Sequence, residues 1–199
     1  MKAPRMERAM DEDANLTGKM LIAMPGMRDP RFEHSVILIC AHSDEGAMGL
    51  VVNRAIPEIG FSELLAQLDI AASDDLIEIP VGFGGPVEPG RGFVLHHVPR
   101  GIEIGVDGMR IAEDLAMSTT RDILENYARG HGPQPAMLAL GYAGWGPGQL
   151  DSEIRQNGWL TTERGDEIIF GTDNAGKWRA ALRSLGIDPV VLSPDAGHA

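Results

Sequence analysis

The chain has 199 residues, of which 43% are hydrophobic and 23% charged, and its formal net charge is −12. This composition is typical of a globular chain with one domain or two small ones and excludes an intrinsically disordered protein. The single cysteine, Cys40, excludes an intrachain disulfide and indicates a reducing compartment, which we expect to be the cytoplasm. No apolar run approaches the ~18 residues of a membrane helix, so we expect no membrane span. Residues 1–14 have mixed charge and no apolar core, so we expect a disordered segment there and no signal peptide.

The N-terminal half is predicted to consist mainly of strands. Continuous apolar runs are typical of strands buried on both faces, and turn-forming residues separate them. On these signals we predict strands at Met20–Ala23, Ser35–Ala41, Met48–Val52, Ile77–Phe83 and Phe93–His97, a helix from Ser62 to Leu68, and a hairpin in which Asp107-Gly108 joins Ile102–Val106 to Met109–Ala112.

The C-terminal half mixes helices and strands. We predict the end of a strand at 115–118, a helix over 119–129, a strand at Met137–Leu140, a hairpin joining Trp159–Thr162 to Glu167–Phe170, and a last helix from Asp173 or Asn174 to Gly186. Because strands outnumber helices and no βαβ alternation is sustained, the pattern predicts an α+β fold. Three basic residues of the last helix are interpreted as complementing the negative end of its dipole: Lys177, Arg179 and Arg183.

Residues 136–159 carry the most informative pattern. A loop is predicted around four glycines, Gly141, Gly144, Gly146 and Gly148. A helix should follow, opened by Pro147 and closed at Gly158, and bare N–H groups at its N-terminus would favour an anion. The spacing is neither a dinucleotide fingerprint nor a P-loop, because Gln149 replaces the final glycine and no Lys-Ser/Thr pair follows. Alternatively, the glycines only allow a sharp turn with Trp145 packed over the main chain.

Catalytic and metal sites have weaker support. Adjacent residues of a strand face opposite ways, so His96 and His97 cannot share one metal ion, and no His-rich ligand spacing is present. Ser35 lies in no nucleophile elbow, and the apolar neighbours of Cys40 argue against a reactive thiol. We therefore expect no metal, no cofactor and no catalytic residue, and an enzymatic role is the less favoured interpretation.

Direct nucleic-acid binding is also disfavoured. Residues 112–126 resemble a helix-turn-helix only faintly, because the second helix sets Asp122 and Glu125 against Arg121 and Arg129. The net charge of −12 would oppose contact with phosphates. We interpret this segment as an ordinary packed helix.

Three long blocks give the chain its resemblance to a known family. They span 21–54 (LIAMPGMRDPRFEHSVILICAHSDEGAMGLVVNR), 84–97 (GGPVEPGRGFVLHH) and 139–160 (ALGYAGWGPGQLDSEIRQNGWL), and the tail 185–199 fits as well. On these blocks the chain resembles the bacterial YqgE/AlgH family. The resemblance implies a single domain over 15–199, with a mixed and largely antiparallel sheet flanked by helices. It implies no reaction, and Ala41 departs from the acidic residue often found there, which removes one charge partner for His42.

We predict a binding protein rather than an enzyme. Asp151 and Glu153 would disfavour a highly charged phosphate, so we expect a small polar or anionic ligand such as a carboxylate, or a protein partner. Glu153 and Asn157 lie one helical turn apart, and they either form a solvated helix face or line a pocket with Trp159. The alternatives are a protein-interaction module acting indirectly on transcription, and a hydrolase or transferase. The predicted ligand-binding residues are Gly84, Gly85, His96, Tyr142, Gly144, Trp145, Gly146, Gly148, Gln149 and Asn157.

Overall fold

The structure, a computed structural model, describes residues 15–99, 101, 104–105 and 108–189. The predicted disordered segment 1–14 and the tail 190–199 therefore lie outside the described residues, as do positions 102, 103, 106 and 107 of the predicted hairpin. The strands are β1 (Met20–Ala23), β2 (Val36–Ser43), β3 (Gly46–Val51), β4 (Val81–Phe83), β5 (Val87–His97), β6 (Gly108–Ala112), β7 (Leu115–Ser118), β8 (Ala136–Trp145) and β9 (Trp159–Thr162). The helices are α1 (Phe61–Gln67), α2 (Arg121–Ala128), α3 (Gln149–Arg155), α4 (Asp166–Phe170) and α5 (Asn174–Ser184).

All of these strands join one sheet. Their order is β6-β7-β5-β8-β3-β2-β1-β9, and β4 pairs with β8 beside that path. The β4–β8 pairing is parallel, whereas the other pairings of the described strands are antiparallel. The predicted α+β class, with a mixed and largely antiparallel sheet flanked by helices, is confirmed.

Helices cover both faces of the sheet. On one face, α4 and α5 bury a core to which β2 contributes Val36 and Leu38 and β5 contributes Phe93 and Leu95. On the other face, α1 and α2 pack over β4, β5 and β8, while α3 packs over β1, β2 and the end of β8. Strands buried on both faces account for the continuous apolar runs in the sequence.

The two ends of the strand order approach each other. Arg164, which follows β9, donates hydrogen bonds to Asp114 between β6 and β7 and to Asp166 at the start of α4. Asp166 also lies 2.9 Å from Nε2 of His97, at the end of β5. These contacts show that the sheet curls around the core beneath α4 and α5.

Two predicted strands are corrected. The segment Glu167–Phe170 belongs to helix α4, because a helical turn directs its apolar residues to the core, and Ile169 is fully buried there. The predicted strand Ile77–Phe83 shrinks to β4, because Pro80 has no N–H to donate to a strand ladder. Helix α1 begins at Phe61 after Gly60, so Ser62 is not its cap.

The glycine-rich segment is a strand rather than a loop. Strand β8 continues through Gly141 and Gly144 to Trp145, and only residues 146–148 connect it to α3. Pro147 precedes the helix by two residues and does not open it. The expected loop was wrong because a glycine in the left-handed region, such as Gly141 with φ of 72°, also permits an irregularity within a strand. The pairing of β5 with β8 is irregular here, since Val87 lies opposite Tyr142 and Gly92 opposite Leu140, and we call this irregularity the bulge at Gly141.

The bulge at Gly141 changes which residues of β8 face α4 and α5. Before it, Met137 and Ala139 point toward that side; after it, Tyr142 does. Ala143 and Trp145 point to the opposite face, under α3. A strand without the bulge would place the aromatic residues on the wrong faces.

Close contact between main chains fixes the bulge. Gly84 N–H donates to the Leu140 carbonyl, and its own carbonyl accepts from Val51. A Cβ on Gly85, whose φ is 155°, would lie 2.0 Å from the carbonyl carbon of Tyr142. We therefore expect Gly85→Ala to lower the free energy of unfolding by more than about 2 kcal/mol in urea titrations.

Gly90 provides the matched control on β5. No atom lies within 4 Å of a Cβ built there, so Gly90→Ala should change stability by no more than about 0.5 kcal/mol. Equal stability of the two variants would contradict the role assigned to Gly85.

Candidate functional site

A large cleft opens on the α4–α5 side of the sheet, beyond the area that these helices cover. It has a volume of about 870 Å³, within the range of ligand pockets in proteins. Six strands or their ends contribute to its lining. Its lining residues are Ala41, Ser43, Glu45, Gly46, Ala47, Met48, Val87, Arg91, Phe93, Gly108, Met109, Met117, Thr119, Tyr142, Gly144 and Trp145.

The floor of the cleft is apolar and adaptable. Met48, Met109 and Met117 come from three strands, and thioether side chains reshape easily around a partner. Phe93 meets Tyr142 edge to face, with 5.8 Å between the ring centroids. This floor continues the core beneath α4 and α5, to which Phe93 and Met117 belong.

Among the described lining residues, one carries a positive charge and one a negative charge. The guanidinium of Arg91 lies 5.2 Å from the centroid of the Phe93 ring and 3.2 Å from a carboxylate oxygen of Glu88. Glu45 contributes the carboxylate of the lining. An arginine that is more than half exposed beside an aromatic ring can meet an anionic group without losing its packing.

Three of the ten predicted residues, Tyr142, Gly144 and Trp145, are among the lining residues of this cleft, although the indole of Trp145 packs under α3 on the opposite face. Sequence reasoning missed the rest of its lining, including Arg91, Phe93 and the three methionines. Their one available signal was a methionine or aromatic residue on each of several predicted strands. No single segment of the sequence reveals the strand order that brings these residues together.

The four predicted residues around the β8–α3 connection are occupied by local contacts. Gly146 N–H donates to the side-chain oxygen of Gln149, and the N–H of Gln149 donates back to the Gly146 carbonyl. Gly148 precedes α3 in a left-handed conformation, and Asn157 is exposed beyond its end with φ of 57°. Because α3 has only seven residues, it offers little dipole to an anion.

Glu153 joins the two tryptophans beneath α3. One of its carboxylate oxygens accepts hydrogen bonds from both indole N–H groups, at 2.9 Å from Trp145 and 2.8 Å from Trp159. Its other oxygen accepts from Gln149 at 2.8 Å. Neither the solvated face nor the pocket lining expected for Glu153 describes this contact, which fastens α3 to β8 and β9.

The remaining predicted residues lie apart from the cleft lining. Gly84 and Gly85 pack against the main chain of β8, as described above. His96 pairs with Ala136 at the far end of β8, about 20 Å along the strand from Tyr142. It faces the α1–α2 side, where its Nε2 lies 2.9 Å from the Ser118 hydroxyl.

The other histidines also have specific neighbours. His97 faces the opposite side of the sheet from His96, as predicted, and meets Phe170 edge to face. Nδ1 of His42 accepts a hydrogen bond from Leu16 N–H, while Nε2 lies 3.7 Å from Asp151, so α3 supplies a carboxylate near His42. Among the described residues, no three His, Cys, Asp or Glu side chains are grouped to hold a metal ion. Burial raises the pKa of the Cys40 thiol to about 12.

Comparison with known proteins places this chain in a family. The sequence model of the AlgH-like family matches residues 20–190, and the chain belongs to that family. It is 79% identical to a UPF0301 protein of Paracoccus denitrificans over 190 residues, which are 96% of this chain and 100% of the relative. A UPF0301 protein of Cereibacter sphaeroides is 52% identical over 185 residues, covering 93% of this chain and 100% of the relative.

Solved structures agree with the architecture. The solution structure of the AlgH protein from Pseudomonas aeruginosa matches with a TM-score of 0.74 and 38% identity, covering 100% of both chains. A crystal structure of a protein from Corynebacterium diphtheriae matches with a TM-score of 0.69 and 20% identity, over 89% of this chain and 90% of that one, and shares the fold. None of the helices in the described ranges is long and apolar enough to cross a membrane.

Replacing Glu153 with glutamine should destabilise the protein. An amide at this position would present a donor to N–H groups that now share a carboxylate, so we expect a loss of about 1–3 kcal/mol in the free energy of unfolding. Urea titration followed by tryptophan fluorescence measures it. Glu163→Gln, at a carboxylate that is 82% exposed, should change stability by less than about 0.5 kcal/mol. An E153Q variant as stable as E163Q would contradict the structural role.

His96 should make the free energy of unfolding depend on pH. Burial of the imidazole lowers the pKa of His96. The hydrogen bond that its Nδ1–H donates to the His97 carbonyl raises this pKa, but burial has the larger effect. Because its folded pKa lies below that of the unfolded chain, the unfolded state binds more protons, and stability should fall as the pH drops below about 6.5. Urea titrations between pH 7.5 and pH 5 should show a shallower fall in H96Q. The exposed His131→Gln control should keep the wild-type slope, and identical slopes in all three proteins would contradict this assignment.

Proposed function

We propose that the chain is a non-enzymatic binding protein of the cytoplasm, and that its ligand is a small molecule with an apolar body and an anionic group. The observation that carries the proposal is the cleft of about 870 Å³, in which an aromatic and methionine floor meets an exposed arginine. Sites for small molecules combine a mostly apolar wall with a few placed polar groups. The ligand would lie on Phe93 and Tyr142 with its anionic group toward Arg91.

The chemistry of the lining favours binding over catalysis. Among the described lining residues, Ser43, Thr119 and Tyr142 supply hydroxyls and Glu45 a carboxylate, but no histidine, cysteine or lysine is present. A hydroxyl nucleophile needs an adjacent base within hydrogen-bond reach. Among the described lining residues, the carboxylate of Glu45 is the one group able to act as such a base, so a hydrolase or transferase acting here would depend on Glu45 or on a base from elsewhere.

A protein-interaction module is the second candidate, and one observation favours it. Val87, on the rim of the cleft, is one of the large apolar side chains left exposed, at 36%. Methionine-rich surfaces accept varied apolar side chains, so an extended peptide could use the same floor. Direct nucleic-acid binding is disfavoured by the net charge of −12.

A thermal-shift screen of carboxylates, nucleotides and cofactors tests the proposal. A ligand that binds the native form alone raises Tm by mass action, by about 2.7 kcal/mol of stability at 100 times its Kd. Compounds that raise Tm should then lose their effect in Gly144→Leu, which fills the cleft beside Tyr142. A Cβ at Gly144 would lie 3.3 Å from Tyr142 Cε2, so the leucine would also press on the Tyr142 ring, which must shift slightly to accommodate it.

Two further variants sharpen the result. Arg91→Gln should weaken anionic ligands about tenfold or more while leaving neutral ones unaffected. Gly26→Leu adds the same side chain where nothing lies within 4 Å and should bind as the wild type does. A screen in which no compound raises Tm, or ligands that bind G144L undiminished, would contradict a small-molecule site here. Peptides that bind the wild type but not G144L would favour the second candidate.

A further inference from the structure

A smaller cavity lies apart from the cleft, between the sheet and the α4–α5 connection. Its volume is about 260 Å³, enough for about eight water-sized groups. Val52, Val81, Met137 and Ile169 give it apolar walls, and α5 contributes Lys177. Arg54, Thr172 and Asn174 add polar groups to the lining.

Lys177 is buried in an unusual way. It is 5% exposed, and its ammonium group donates to the carbonyl of Val52 at 2.7 Å and to that of Ile169 at 2.9 Å. An ammonium group has three donors, and both of these acceptors are main-chain carbonyls rather than carboxylates. The position of Lys177 in the first half of α5 also corrects the expectation that it complements the C-terminal end of the dipole.

The charge around Lys177 is not balanced within the cavity. None of the described residues that line it is acidic, although the whole chain carries a net charge of −12. Asp173 lies nearby, but its carboxylate caps α5 by accepting the Gly176 N–H at 3.0 Å. Burial lowers the pKa of Lys177 to about 8, and Asp173 opposes that shift, so the side chain is still mostly charged at neutral pH. Asp173 is therefore only a partial counter-charge for the buried ammonium group, and an anion in the cavity would complete the compensation.

We propose that this cavity binds a small oxyanion, the carboxylate or phosphate group of a small metabolite, with Lys177 as its principal ligand. The ammonium group would give its third donor to the anion, and Arg54 would add positive potential. The cavity volume limits the ligand to a few non-hydrogen atoms beyond the oxyanion itself. This site is distinct from the cleft, whose lining shares no residue with it.

The chain offers a direct test, because its lysines are only Lys2, Lys19 and Lys177. Labelling with ¹⁵N-lysine gives three side-chain nitrogen signals, which Lys2→Arg and Lys19→Arg assign by elimination. Titration of the full chain with sodium acetate, and separately with sodium phosphate, should shift the Lys177 signal saturably. The Lys19 signal should follow only ionic strength, as a sodium chloride titration will show.

Variants of α5 provide the second measurement. Lys177→Met keeps the length of the side chain without its charge and should weaken the anion, measured by calorimetry, about tenfold or more. Arg179→Met removes an exposed charge from the same helix and should bind as the wild type does. Gly144→Leu, which fills the cleft, should leave the Lys177 response unchanged, so this proposal and the proposed function fail separately.

The wild-type titration tests the proposed oxyanion site even if Lys177→Met does not fold. A Lys177 signal that stays still with both anions, or that moves only as sodium chloride moves it, would overturn the proposal. Saturation with one anion alone identifies the chemistry of the ligand as carboxylate or phosphate.

Discussion

The close approach of two main chains at Gly85 and Gly141 is the constraint on which the rest of the structure depends. A Cβ on Gly141 would lie 2.3 Å from the Gly85 carbonyl oxygen, and one on Gly85 would overlap the main chain at Tyr142. Only glycine fits at such distances, and only glycine readily adopts the left-handed conformation of Gly141. The crossing divides β8 into a part that pairs with β4 and β5 and a part that pairs with β3.

This division of β8 places its two aromatic residues on opposite faces of the sheet, one packed under a helix and one in the cleft. Beyond the bulge, Trp145 turns under α3, where it meets Trp159 edge to face and shares the carboxylate of Glu153. Tyr142 turns to the other side and becomes part of the cleft floor. The same glycine-rich segment therefore anchors a helix on one face of the sheet and supplies a binding surface on the other.

Much of the fold could be predicted from the sequence, and the failures have a common physical cause. The bounds of β1 were predicted correctly, because its apolar run admits one interpretation; those of β9 were also correct, although the hairpin from which they were predicted was wrong. The bulge at Gly141 could not be distinguished from a loop, since the deciding contact with Gly85 is 56 residues away. The strand predicted at Glu167–Phe170 failed because a short apolar run fits a helical turn equally well.

The same limit applies to the candidate sites: residues of one segment could be predicted together, whereas residues joined by strand pairing could not. Tyr142, Gly144 and Trp145 were predicted because they share a segment, whereas Arg91 and Met109 join them through strand pairing alone. Lys177 shows the limit most clearly, because its sequence neighbours Trp178 and Arg179 cannot reveal which α5 residues enter the core. Its partners, Val52 and Ile169, come from distant parts of the chain.

The curl of the sheet has a consequence for how the protein behaves at high concentration. An exposed edge strand offers unpaired N–H and carbonyl groups that can recruit another chain into a growing aggregate. Here Arg164, two residues beyond β9, donates a hydrogen bond to Asp114 in the β6–β7 turn. The strands at both ends of the order are only four or five residues long. Short edges drawn toward one another leave little template for intermolecular strand addition, which favours colloidal stability in a crowded cell.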